Sequence, residues 1–187
     1  MHSKTYYFDS NDKHCPLLLG HKLADIINNH KAPFNQIVIL CIGSDRSTGD
    51  SLGPLIGYKL SKTNYPGLNI YGTLKNPVHA VNLSAVMDEI NTDHPDSLII
   101  AIDASVGNRN HIGYITLSCR PLKPGLGVNK ELPSVGNICI TGIVNFQSIL
   151  DNMILQTTRL DTVMELADCI SSAIIKAFKT IDVPLYN

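Results

Sequence analysis

The sequence carries no excess of charge of either sign: 15 Lys and Arg against 16 Asp and Glu give a formal net charge of -1 over 187 residues. With no long-range field, capture of nucleic acid or of an anionic membrane surface is not expected. No apolar run approaches the ~20 residues that cross a bilayer, and the segment from Met1 to Asp9 lacks the apolar core of a secretory signal. The expectation is a cytoplasmic protein. The five cysteines, Cys15, Cys41, Cys119, Cys139 and Cys169, are odd in number and contain no Cys-x-x-Cys pair. Neither a disulfide framework nor a zinc knuckle is signalled, so reduced thiols are expected. Repeats, linkers and low-complexity tracts are also missing, and with 44% hydrophobic and 17% charged residues the chain reads as a single domain over 1–187. Self-association into a homo-oligomer is left open by these features.

What is present alternates between strand and helix patterns. Leu18, Leu19, Leu23, Ile26 and Ile27 recur at helical spacing between Leu17 and Lys31, and Pro33 stops the pattern. Gln36 to Ile42 is short, β-branched and apolar on both faces, as a strand covered on both sides reads. Leu52, Leu55, Ile56 and Leu60 mark a helix from about Asp50 to Lys62, with Pro54 tolerable in its first turn. A turn at 65–67, a strand from Leu68 to Thr73 and a helix from Val81 to Ile90 follow, then a second doubly apolar strand, Ser97 to Asp103, ending in a carboxylate. Strands at Tyr114–Ser118 and Ile138–Val144 flank a Pro- and Gly-rich loop from Arg120 to Gly136, and helices are expected at Phe146–Gln156 and Leu160–Phe178. This order predicts an α/β fold, a three-layer α/β/α sandwich with a largely parallel sheet, whose ligands sit outside the carboxyl ends of the strands.

Two acidic residues stand out at that edge. In Gly43-Ser-Asp-Arg-Ser-Thr-Gly-Asp50-Ser-Leu-Gly53-Pro, Asp50 opens a helix after a strand, where it either caps the helix by accepting backbone N–H groups or serves a site. The loop matches neither phosphate-cradling glycine pattern, so a nucleotide site is not expected. Asp103, at the end of an apolar strand, lies where desolvation and neighbouring charge raise a carboxyl pKa; its alternative role is to hydrogen-bond the loop that follows. If the two strands are parallel neighbours, the carboxylates face one another and either share a proton for acid–base hydrolysis or bind a divalent cation. His79 and the cations Arg46, Lys75, Arg109, Lys123 and Lys130 fall in loops near this edge. Of these, Arg46, His79 and Lys130 are the candidates for holding a substrate carboxylate or backbone, with solvated or structural roles as the plainer reading. His111 is a weaker candidate, and His2, His14, His21, His30 and His94 read as surface. Cys41, within a strand and without a base, reads as core, and Ser47 and Ser51 lack a hydrolase elbow.

Taken together, Cys41-Ile-Gly-Ser-Asp-Arg-Ser-Thr-Gly-Asp-Ser-Leu-Gly-Pro54, Asn76-Pro-Val-His-Ala80, Ile102-Asp-Ala104, Lys123-Pro-Gly-Leu-Gly-Val-Asn-Lys130 and Gly142-Ile-Val-Asn145 resemble the YyaC family of sporulation proteins from about Phe34 onward. That family is similar to the spore germination protease and, more remotely, to hydrogenase maturation endopeptidases. The resemblance implies a phosphorylase/hydrolase-like α/β sandwich. In the germination protease, segments matching those around Asp50 and Asp103 supply two catalytic aspartates, and here Ser44 and Gly49 stand where that protease has Asn and Pro. In the maturation enzymes the matching acids help a histidine to bind nickel, and no histidine motif here aligns with it. The resemblance therefore implies an endopeptidase of sporulating cells or the forespore. In it, one aspartate activates water and the other protonates the leaving amine, with no resident cofactor and with spore proteins as substrates. The alternative is a non-catalytic sporulation protein that uses the same crevice to bind a partner segment or a cation.

Overall fold

The computed structural model describes residues 4–63, 65, 68–124, 133–147 and 155–181. In chain order these form β1 (Thr5–Asp9), α1 (Cys15–Asn28), β2 (Gln36–Cys41), a 3₁₀ turn (Gly49–Ser51) running into α2 (Leu52–Ser61), β3 (Leu68–Tyr71), α3 (Leu83–Asp93) and β4 (Ser97–Gly107). A second 3₁₀ turn (Arg109–His111), β5 (Tyr114–Ser118), β6 (Ile138–Phe146) and α4 (Leu160–Phe178) complete them. The strands form one sheet in the order β1-β5-β6-β4-β2-β3. Strands β3, β2, β4 and β6 are mutually parallel; β5 pairs antiparallel with β6, and β1 pairs antiparallel with β5, so that of the six strands β5 runs against the rest. The sheet is therefore mixed and largely parallel, with antiparallel pairing at its β1–β5–β6 end.

The doubly apolar strands lie where their composition requires. Every residue of β2 from Ile37 to Cys41 and of β4 from Leu98 to Asp103 is buried. Their alternating side chains feed two separate cores. Ile37, Ile39, Ile100 and Ile102 point into the layer of α1, α2 and α4, while Val38, Leu40, Ile99 and Ala101 meet Leu83 and Ile90 of α3 on the other face. Each fully buried side chain of this kind stabilises the fold by roughly 1.5–3 kcal/mol relative to exposure. Three layers result, as the element order predicts.

Several boundaries differ from those expected. Strand β1 was not foreseen: Tyr6 and Phe8 pack against the core while Tyr7 is exposed, an alternation that only gains meaning once β5 supplies a pairing edge. Phe146 is the last residue of β6, paired with Gly107, rather than the start of a helix. Of the helix expected at 146–156, residues 148–154 lie outside the described residues and Leu155 and Gln156 are helical. Residues 66 and 67 of the turn at 65–67 and residues 125–132 of the loop at 120–136 likewise lie outside them; the loop's base is closed by Leu122 and Val135, whose backbones exchange hydrogen bonds of 2.8 Å. Finally, β4 does not end at Asp103 but continues to Gly107, because β6 still pairs with it there.

Candidate functional site

The site arises where β2 leaves β4. The two strands are in register up to Cys41 and Ile102, and Ile42 N–H donates a last bond of 2.7 Å to Ile102 O. Gly43 then turns away at φ +140°, its N–H bonded to Val78 O at 2.8 Å. A side chain at Gly43 would strike the Asp50 carbonyl, and one at Gly53 would strike the Ile42 carbonyl. The chain after β2 is thus folded tightly back so that α2 begins against the strand's end. Since β3 lies on one side of β2 and β4 on the other, this point is the switch in strand order, the usual crevice of an open α/β sheet. Asp103 is the first residue of β4 beyond the end of β2.

Asp50 and Asp103 meet at this switch point. Asp103 is only 7% exposed, and its Oδ1 accepts the Ala104 N–H at 2.8 Å. Burial raises its pKa well above the usual carboxylate range, the negative charge of Asp50 raises it further, and the Ala104 N–H opposes both. Asp50 is half-buried in the 3₁₀ turn before α2. Burial raises its pKa too, while the Ser44 backbone N–H and then the charge of His79 pull it back. The helix-capping role is not what the side chain does: the backbone donor beside its carboxylate is Ser44, from the strand side, not an N–H of α2.

His79 is positioned by its backbone, whose N–H donates to Asn82 Oδ1 at 2.8 Å and whose carbonyl accepts from Asn82 and Leu83 at the start of α3. It lines a cleft of about 580 Å³ with Ile70, Tyr71, Thr73, Lys75 and Asn76, running along the outer strand β3. Arg46 shares the Gly43–Asp50 loop and is exposed; its backbone N–H reaches Ser44 Oγ at 3.2 Å, and its side chain makes no ion pair with a described residue. Lys130 lies outside the described residues. Among the other loop cations, Arg109 stacks on the Phe146 ring, 4.2 Å from its centroid, and Lys75 and Lys123 are exposed. Cys41 is fully buried with its thiol pKa pushed up by burial, as its core reading requires. His94 is half-buried, its Nδ1 2.7 Å from Gln36 Oε1, and is not the surface residue expected.

Residues not singled out from sequence extend the site. Ser105 shares the sheet face of Asp103, two residues on, and Thr141 is the register partner of Asp103 on β6. Their hydroxyls are 3.2 Å apart, and Thr141 Oγ1 is 2.8 Å from Thr116 Oγ1. Ser47 Oγ, in the Asp50 loop, is buried without a hydrogen-bond partner among the described residues. The register that brings Thr141 to Asp103 is a tertiary property, which no spacing in the sequence signals. For a resident cation the donor set does not fit: no group of three or more His, Cys, Asp or Glu side chains among the described residues is arranged to hold a metal. What the arrangement supplies is a desolvated carboxyl pair of unequal burial, with a histidine beside the more exposed member. No described helix is long and apolar enough to cross a membrane.

Among solved structures, the chain is similar to the [NiFe] hydrogenase maturation protease HycI from Thermococcus kodakarensis KOD1, at 17% identity and a TM-score of 0.46, over 82% of this chain and 99% of that one. A curated relative, "Uncharacterized protein YyaC" of Bacillus subtilis (strain 168), is 44% identical over 144 residues, which is 77% of this chain and 70% of that protein. The profile of the family described as "Protein of unknown function (DUF1256)" matches residues 7–173, and the chain therefore belongs to the DUF1256 family, with YyaC among its relatives.

Proposed function

We propose that this protein is a peptidase-like hydrolase of sporulating cells that cleaves peptide bonds with Asp50 and Asp103. The observation that carries the reading is the unequal carboxyl pair: a deeply buried Asp103, its pKa raised by burial and by the charge of Asp50, beside a less buried Asp50. Carboxylates that feel one another's charge do not both ionise readily, and on this reading the pair works with one shared proton. Asp103, the more buried, keeps the proton and delivers it to the leaving amine. Asp50, favoured as an anion by Ser44 N–H and His79, takes a proton from the attacking water. The acyl carbon–nitrogen bond breaks as the water oxygen adds to the carbonyl carbon, and the pair returns to its starting state after one proton relay. An extended peptide lies in the cleft along β3, with Lys75 and His79 within reach of its backbone or carboxylate, and Arg46 contributes from the Gly43–Asp50 loop. The sequence motifs make spore proteins the first substrates to test, with action in the cytoplasm of the sporulating cell or forespore.

The test is incubation of the purified protein with a spore-protein extract, reading new N-termini by mass spectrometry. New termini should appear with the wild type and vanish with Asp50→Asn and with Asp103→Asn, each variant retaining the wild-type circular dichroism spectrum. Cleavage that survives either substitution refutes the mechanism. One observation favours a second reading, a non-catalytic protein that binds a partner segment here: Asp103 is nearly inaccessible and already accepts Ala104 N–H. That reading expects no cleavage by the wild type and capture of a spore protein that depends on residues of the β3 cleft.

A further inference from the structure

Away from the carboxyl pair, two cysteines 154 positions apart in sequence are brought together. Cys15 is the first residue of α1 and Cys169 lies in the middle of α4, and their sulfurs are 3.1 Å apart, with the Cys169 thiol donating to Cys15 Sγ. Both belong to the core between the two helices, at 1% and 5% exposure. This separation is shorter than two sulfurs in simple van der Waals contact adopt, and it sets the two thiols next to each other, as the ~2.05 Å bond of a disulfide requires of its partners. The remaining cysteines are not so placed: Cys41 is sealed within β2, and Cys139 contacts Ser118 Oγ at 3.0 Å.

The two sulfurs have unlike surroundings. The hydrogen bond from Cys169 lowers the pKa of Cys15, against the opposing effects of burial, Asp12 and Asp9, and Cys15 also opens a helix whose N-terminal dipole favours a thiolate. The same bond, with burial, raises the pKa of Cys169. Access differs in the other sense: Cys169, and not Cys15, lines a cleft of about 440 Å³ together with Ser10, Asp12, Lys13, Pro16 and Glu165, so a small disulfide approaches the pair from the Cys169 side.

We propose that Cys15 and Cys169 form a reversible disulfide that staples α1 to α4, made by exchange with a low-molecular-weight disulfide. The Cys169 thiol, on the cleft side, loses its proton and attacks one sulfur of the small disulfide, forming a mixed disulfide and expelling one small thiolate, which takes up a proton. Cys15 then loses its proton and attacks the Cys169 sulfur, expelling the second small thiolate, which is protonated in turn. Two cysteine sulfurs are oxidised and one small disulfide is reduced to two thiols. Because the bond closes a loop of most of the chain, it restricts the unfolded ensemble more than a short-range bond does.

The experiment equilibrates the full chain in glutathione redox buffers from fully reduced to fully oxidised and counts free thiols after an acid quench, with peptide mapping. The expected result is a fall from five thiols to three, a cross-linked peptide joining Cys15 to Cys169, full reversal by dithiothreitol, and a melting temperature higher by about 5–10 °C in the oxidised form. Cys15→Ser and Cys169→Ser should each abolish the cross-link, and the circular dichroism spectrum of each shows that the loss is not one of folding. Five thiols persisting in the most oxidising buffer, a bond between other cysteines, or an oxidised form that melts below the reduced one overturns the proposal.

Discussion

Among the described residues, the carboxyl pair Asp50–Asp103 and the thiol pair Cys15–Cys169 are both withdrawn from solvent, wholly or in part, and they differ in what brought them together. Asp50 and Asp103 meet where the parallel half of the sheet reverses its strand order, a place set by backbone topology. Cys15 and Cys169 meet inside the helical layer, where two amphipathic faces happen to present small polar sulfurs to one another. The electrostatic outcome differs in the same sense. Both carboxyl pKa values are pushed up, by burial at each and additionally by the charge of Asp50 at Asp103, whereas the two thiols are pushed apart, because one donates a hydrogen bond to the other. A pair strained by like charge is expensive to bury and is expected at a site; a pair relieved by a shared proton is tolerated within a core.

The comparison can be broken most severely at the carboxylates. Asp50→Asn or Asp103→Asn should lower peptide cleavage by about 10²–10⁴-fold, the usual contribution of a positioned acid or base, measured as the rate of appearance of new termini. Next in size is Gly53→Ala: with its added methyl against the Ile42 carbonyl, it should destabilise the fold by about 1–3 kcal/mol in urea titration and reduce cleavage by displacing Asp50.

Asp103→Asn should also stabilise the protein. A carboxyl group whose pKa is raised on folding binds its proton more tightly in the folded state, so its stabilising contribution is complete below the ordinary carboxylate pKa and is lost as pH rises through the raised folded value. The variant's advantage should therefore be absent near pH 3 and should grow with pH to a plateau, each kcal/mol appearing as about 2–4 °C in melting temperature. A variant that melts no higher than wild type at neutral pH would show that Asp103 is better solvated than its burial implies.

Smaller effects sharpen the picture. His79→Ala removes a positive charge beside Asp50, so the acid limb of the pH–activity profile should move to higher pH, while the alkaline limb set by Asp103 stays in place. At the thiols, brief alkylation at pH 8 should leave Cys41 unmodified in the native protein, since burial raises its pKa, and should label exposed Cys119.

Much of this architecture was legible in the chain. Doubly apolar runs such as Gln36–Ile42 and Ser97–Asp103 announce buried parallel strands, and Val163, Leu166, Ala167, Ile170, Ile174 and Phe178, which recur at helical spacing within Leu160–Phe178, lie on the buried face of α4. Asp50 and Asp103 were identifiable because a carboxylate at the end of an apolar strand, or after a glycine-bounded loop, is costly unless it is used. By contrast β1, an edge strand of aromatic and polar residues, has no pattern that distinguishes it from an extended terminus until β5 offers its edge. Position Phe146 read as helical from its neighbours, and pairing with Gly107 overrode that preference.

The sequence by itself determined the alternation of elements, the two apolar central strands and the placing of an acid after each, since local periodicity and residue type act over a few residues. Only the tertiary structure decided which elements are neighbours: that Thr141 stands opposite Asp103, that His79 influences Asp50, and that Cys15 lies against Cys169. Those meetings depend on sheet order and helix packing, which are settled by the burial of the whole chain at once and leave no trace in the spacing of the residues concerned.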